Sequence, residues 1–417
     1  MQPHQEAESH TGRRVLSART RILRAAAVVL FTLAFAELCS FLLIRWYVAP
    51  KYPLFFRLDY EGLLSTITDE HIDAARRRSW DPELGWELAR DERRTHDDGR
   101  GHAWSYTTDA DVGRITPYES EETLIATFGE SFTFCDEVYD DQTWQYRLSV
   151  LTDSRVLNFG VGGYGIDQAT LKAKRKLESG LRTPIVVLAI QTIDLARSLS
   201  AYRTLLQPQA VGRLDFKPLV AEIDGVYRWI PNPLASLDGR DDVLRAFDVA
   251  KRHDYWYGNR VLRNEFPFVL DAGRMFLIVS GLRPNPRYDQ WDNEDAKRRL
   301  ETAIDAFVQE AAQRGLTPAI LVIPSWRDVH GRTDGRVPRS RSFFEASRAR
   351  HEGSGMILVD VLARPFDESR FYRSEFSHAT PYGNEVIAAA LHAALEAKLS
   401  SWRESFRRGG TAPPARR

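Results

Sequence analysis

The chain of 417 residues is 43% hydrophobic and 27% charged, and its 57 basic residues are balanced by 57 acidic ones. That balance gives no basic footprint for nucleic acid, and 11% aromatic content with ten Trp excludes wholesale disorder. Two cysteines, Cys39 and Cys135, leave no basis for a disulfide scaffold or a thiolate zinc centre.

Taken in chain order, the first element is an apolar run from Ala25 to Ile44, AAAVVLFTLAFAELCSFLLI, broken by one carboxylate, Glu37. A helix of that length spans about 30 Å, the thickness of a bilayer core. Arg13, Arg14, Arg19, Arg21 and Arg24 precede it against Glu6 and Glu8, which keeps the N-terminus cytoplasmic and sends the remainder across the membrane. Trp46 and Tyr47 follow where an interfacial aromatic belt belongs. A cleaved signal peptide with Ala34-Phe35-Ala36 at its processing site is the rival reading, and both put the bulk of the chain outside the cytoplasm. Glu37 either faces a partner helix or is tolerated alone, at about 2–3 kcal/mol on insertion scales.

Residues 49–122 are polar and aperiodic, as in a membrane-proximal segment or linker. Leu124 to Phe128 then reads as a buried parallel strand closed by Gly129. A helix with Trp144, Leu148 and Leu151 on one face follows, then a strand over Val156 to Phe159 ending in GVGGYG. Asp167 to Leu181 predicts a helix and Ile185 to Ile190 a third strand. Residues 199–292, rich in Pro, Gly and aromatics, break the rhythm as an insertion. It returns with a helix whose stripe is Leu300, Ala303, Ile304, Phe307, Val308 and Ala311, capped by Gly315. Ala319 to Ile323 and Met356 to Val359 are the last strands, and Asn384 to Leu399 the closing helix. Alternation of this kind specifies an α/β domain with a parallel sheet, whose ligands bind at the carboxyl ends of the strands.

Three segments at those ends carry chemistry. Gly129-Glu130-Ser131 places a serine just past the first strand, as a nucleophile or as a plain N-cap. The glycines after Asn158-Phe159 can aim N–H groups at an oxyanion, or simply make a tight turn. Glu375-Phe376-Ser377-His378 precedes the final helix, where an imidazole can take the serine proton while the carboxylate orients it. The scattered histidines form no H-x-x-x-H pair, so neither a metal nor a cofactor is called for. Cys135 has no histidine paired with it and reads as a buried structural thiol.

Together these motifs resemble the SGNH/GDSL hydrolase superfamily over about 275 residues, from Thr123 to Lys398. GESFTF is similar to the first block, which implies Ser131 as nucleophile. NFGVGG is similar to the second, which implies an oxyanion-hole amide from Gly163 beside that of Ser131. Glu375 and His378 are similar to the fifth block's D-x-x-H, with Glu in place of Asp. The third block, G-x-N-D, departs most. Aligned from the strand, Gln191 takes the Asn position, and shifted by three Asp194 does, whose charge would repel an oxyanion; Gln191 is preferred on that ground.

The resemblance implies a three-layer sandwich with a parallel five-stranded sheet of flavodoxin-like order. The expected organisation is a cytoplasmic tail over 1–21, an anchor over 22–48, a membrane-proximal segment over 49–122, an SGNH hydrolase-like domain over 123–398 with its insertion at about 199–292, and a disordered tail over 399–417. It further implies a serine esterase acting on an acyl ester outside the cytoplasm, on the far side of the cell membrane. Tyr227, Trp229, Tyr255, Trp256, Tyr257 and Trp291 either stack on the sugars of an acetylated envelope polysaccharide or fill the insertion's own core. Acyl transfer to such a polysaccharide and a non-catalytic envelope protein are the competing readings; the histidine following the serine is the order of the hydrolases.

Overall fold

Two consecutive apolar runs, IVVLAIQ and TPAILVI, have every residue buried, the pattern of strands covered on both faces. They are two inner strands of a five-stranded sheet in the computed structural model, which describes residues 17–48, 64, 67–99, 101–120, 122–206, 214–259, 262, 265–283, 285, 288–375 and 377–407. Its strands are β1 (Thr123–Phe128), β2 (Arg155–Asn158), β3 (Ile185–Gln191), β4 (Thr317–Ile323) and β5 (Ile357–Asp360). They lie in the order β5-β4-β3-β1-β2, and every neighbouring pair is parallel. The chain therefore winds outward in both directions from β1 and β3, and the crevice beyond their carboxyl ends is where such sheets hold ligands.

The described helices include α1 (Ala18–Leu42), α2 (Trp144–Thr152), α3 (Ile166–Glu178), α4 (Phe268–Val279), α5 (Glu294–Gln313) and α6 (Pro381–Arg407). α2 packs on α6, which covers β5, while α3 and α5 pack together against β1 and β4. The stripe predicted for α5 is buried throughout, and Ile387, Leu391 and Leu395 of α6 are fully enclosed. α6 continues to Arg407, beyond the expected end at Leu399. The expected basic tail past Arg407 and the arginines before Ser17 lie outside the described residues.

The aperiodic stretch before β1 is more ordered than a linker. Leu84 and Trp86 pack on Val161 and Tyr164, and the Tyr164 hydroxyl donates to the Trp86 carbonyl at 2.6 Å. Within the insertion, Leu219–Ile223 and Val226–Ile230 form an antiparallel hairpin turned by Asp224-Gly225, both at positive φ as a tight type I′ turn requires. Of its aromatic residues, Trp256 is buried and donates to the Ala196 carbonyl, the Tyr227 hydroxyl donates to Asp295, and Trp291 packs against Phe343 and Phe344.

The chain divides into two units, Met1–Leu58 with Arg260–Arg283, and Asp59–Asn259 with Pro284–Arg417. The sheet belongs to the second. In the first, Ala18–Tyr47 is one continuous helix long and apolar enough to cross a membrane.

Candidate active site

The turn after β1 is built around the serine. Glu130 caps the single helical turn Ser131–Phe134, its Oε2 accepting from Phe132 N at 2.8 Å and lying 3.0 Å from Ser131 Oγ. Donors from three directions fix the carbonyls of this turn. Trp144 Nε1 donates to Phe132 O at 3.1 Å, Gln145 Nε2 to Thr133 O at 2.7 Å, and Asn158 Nδ2 to Phe134 O at 3.3 Å. Gly160, just past β2, lies so close that a Cβ there would sit 2.2 Å from Phe134 N. Only glycine allows the second strand's end to press on the serine turn.

His378 reaches this turn from the loop before α6. Its Nε2 lies 2.9 Å from Ser131 Oγ, and the ring packs on Phe132 with centroids 4.6 Å apart. The sequence pairs His378 with Glu375; the structure does not. Glu375 points away, accepting from Arg327 Nε at 2.7 Å on a half-exposed surface. Nδ1 of His378 meets Glu137 instead, at 2.9 Å, and the same carboxylate's other oxygen accepts from His378 N at 3.3 Å. Burial alone would raise the pKa of Glu137, but the hydrogen bonds and charge of His378 hold it below the ordinary carboxylate value. An ionised Glu137 accepts the Nδ1 proton, which makes Nε2 the acceptor facing the serine hydroxyl.

Glu137 sits in a loop held by a buried cation. Cys135 and Glu137 both have left-handed backbone (φ 63° and 66°), a conformation that costs free energy in residues other than glycine. Arg114, whose side chain is fully enclosed, plugs the loop. Its guanidinium donates to Phe134 O (2.9 Å), Cys135 O (2.5 Å) and Val138 O (2.6 Å), and its Nε to Asp140 at 2.8 Å. Four acceptors converge on a fork whose planar donors match them. Burial pushes the Cys135 thiol up to about 12, which leaves it inert.

Beneath the serine lies a second acidic pair. Glu130 and Asp194 are both buried, and neither Glu130 Oε1 nor Asp194 Oδ2 has a hydrogen-bond partner among the described residues. Burial, then the charge of Asp194, pushes Glu130 well above the ordinary range. Burial raises Asp194 too, against the pull of Arg197 at 3.2 Å. Two buried carboxylates side by side disfavour each other's charge. Ser131 Oγ stands between Glu130 Oε2 at 3.0 Å and His378 Nε2 at 2.9 Å.

Gly163 is buried at φ 82°, and the Arg203 guanidinium rests on it: a Cβ would lie 1.9 Å from Arg203 Nη1. Among the described residues the Ser131 and Gly163 amides carry no hydrogen bond within the protein. Gln191 ends β3 as expected, and its Oε1 accepts from Ile193 N at 2.6 Å. Asp194, the alternative at that position, faces Glu130 and Arg197. No group of three or more His, Cys, Asp or Glu suited to a metal occurs among the described residues.

No protein-family model and no curated protein matches the chain. Among solved structures it is similar to a member of the lipolytic protein G-D-S-L family from Veillonella parvula, at 10% identity and a TM-score of 0.33 over 65% of this chain and 97% of that one. It is also similar to a family 3 carbohydrate esterase from Clostridium thermocellum, at 12% identity and a TM-score of 0.33 over 67% of this chain and 99% of that one.

Proposed function

We propose that the chain is a serine esterase of SGNH/GDSL type, anchored by α1 with its α/β unit outside the cytoplasm. The observation that carries this reading is the 2.9 Å contact of Ser131 Oγ with His378 Nε2, backed by the 2.9 Å contact of His378 Nδ1 with Glu137. Ser131 Oγ attacks an ester carbonyl carbon as its proton passes to His378 Nε2, and Glu137 stabilises the imidazolium. The Ser131 and Gly163 amides, with the Gln191 side-chain amide, hold the oxyanion, while Asp194 belongs to the buried acid pair. Collapse of the intermediate breaks the ester C–O bond, His378 protonates the departing alcohol, and the acyl group stays on Ser131. Water then gives one proton to His378 and its hydroxyl to the acyl carbon; as the Oγ–acyl bond breaks, His378 returns that proton to Ser131 Oγ, releasing the acid and free enzyme.

Trp256, Tyr227 and Trp291 are held by Ala196, Asp295 and the Phe343–Phe344 pair, all outside the insertion, so an acetylated envelope polysaccharide is favoured by location alone. The test is turnover by the full chain in detergent over simple acetyl esters and acetylated polysaccharide, reading both free acetate and acetylated sugar. Free acetate that disappears in Ser131→Ala is the expected result. Acetylated acceptor without acetate would mean transfer, and no Ser131-dependent product from any ester would end the enzymatic reading.

A further inference from the structure

Glu37, the lone carboxylate of the apolar helix, has a partner within its own unit. Its two oxygens accept the first two amides of α4: Phe268 N donates to Oε1, and Val269 N donates to Oε2 at 3.0 Å. The residue at the N-cap of α4 is Pro267, which has no side-chain acceptor to offer. Phe41 meets Phe268 edge-on with centroids 5.0 Å apart, and Ile44 is buried with Leu262 and Met275. The contacts advance together along both helices, from Glu37 with Phe268 to Ile44 with Met275, so α4 runs alongside α1 in the same direction.

The opposite face of α4 is apolar and bare. Val269, Leu270, Phe276 and Val279 are 43%, 56%, 65% and 74% exposed, and Phe266 just before the helix is 77% exposed. At about 100° per residue those four helical positions fall on one half of the helix. Exposed apolar residues of α1 such as Val29 (56%) and Leu33 (62%) make the same kind of surface. The charges of α4 are disposed otherwise: Asp271 is buried and pairs with Arg274 at 3.4 Å.

We infer that Glu265–Arg283 is a re-entrant membrane hairpin, with α4 embedded in the lipid leaflet that surrounds the outer end of α1. Three features converge on lipid as the occupant of its bare face. The face continues that of a helix built to cross a bilayer. In hydrocarbon no water can satisfy the free amides at a helix start, and Glu37 supplies the acceptors there. A carboxylate at that depth itself needs partners, and two amides at the positive end of a helix dipole are suitable ones. At 12 residues, α4 is about 18 Å long, too short to cross a core of about 30 Å. The chain before Arg260 and after Arg283 belongs to the other unit, which the proposed function places outside the cytoplasm, so the segment enters and leaves on that side.

The test uses the full chain reconstituted in phospholipid vesicles, in a Cys39→Ser background, since Cys135 is buried and inert. An environment-sensitive fluorophore is placed by Val269→Cys or Phe276→Cys, with Leu33→Cys as the lipid reference and Leu244→Cys as the water reference. Bromine-labelled acyl chains should quench at 269 and 276 at least about half as strongly as at 33, with iodide ineffective. Quenching by iodide as at 244, or by neither agent, overturns the hairpin while leaving α1 in place. Iodide quenching at 33 removes α1 from the bilayer, and the hairpin with it. In Glu37→Leu the amides of α4 lose their acceptors, and the 276 signal should move toward iodide.

Discussion

A Glu137→Gln variant is expected to lose about 10³–10⁴-fold in kcat, while Glu375→Gln stays within about twofold of the parent chain. The amide keeps the size of the side chain but cannot stabilise an imidazolium, and its NH2 group favours the tautomer that presents N–H to the serine. Glu375 and Arg327 form an ion pair with side chains 35% and 54% exposed, a kind of contact worth at most about 1 kcal/mol. Steady-state ester hydrolysis by the two variants separates the partners of His378. A collapse of activity in Glu375→Gln with Glu137→Gln intact would return the orienting role to the residue that the D-x-x-H resemblance points to.

The second large effect is expected at a residue that touches no substrate. Arg114→Met removes the donors from three loop carbonyls and leaves Asp140 with its charge uncompensated, at a cost of about 3–5 kcal/mol. The midpoint of thermal denaturation of the full chain in detergent should fall by about 10 °C. kcat should fall by about 10²-fold even below the transition, because the left-handed loop then no longer fixes Glu137 within bonding distance of His378. Arg114→Lys restores charge but not the planar fork, and should recover stability better than turnover. Unchanged kcat in a destabilised Arg114→Met would show that Glu137 is held by other contacts.

These two residues mark the boundary of what the sequence makes legible. The five strands, the stripe of α5, Ser131 and His378 are encoded locally, in apolar runs and in short blocks at strand ends. Glu137 has no such mark. It lies past a strained turn whose direction depends on Arg114, and Arg114 belongs to a polar stretch without a period. A pattern spaced along the chain favours Glu375 because it lies three residues before His378, whereas the fold brings the loop after Ser131 to the other side of the imidazole. Gln191 illustrates the same limit: its position at the end of β3 is readable, but the contact of its Oε1 with Ile193 N is a property of packing. Glu37 is visible as an anomaly in an apolar helix, but α4 is hidden in an insertion with no clear period.

The proposed chemistry stands on Ser131 being a nucleophile activated by His378. Treating the full chain with a fluorophosphonate and mapping the adduct by peptide mass spectrometry tests that directly. A single adduct on Ser131, absent in Ser131→Ala and strongly slowed in His378→Ala, is the predicted result. No adduct, or one that persists at equal rate in His378→Ala, would contradict it.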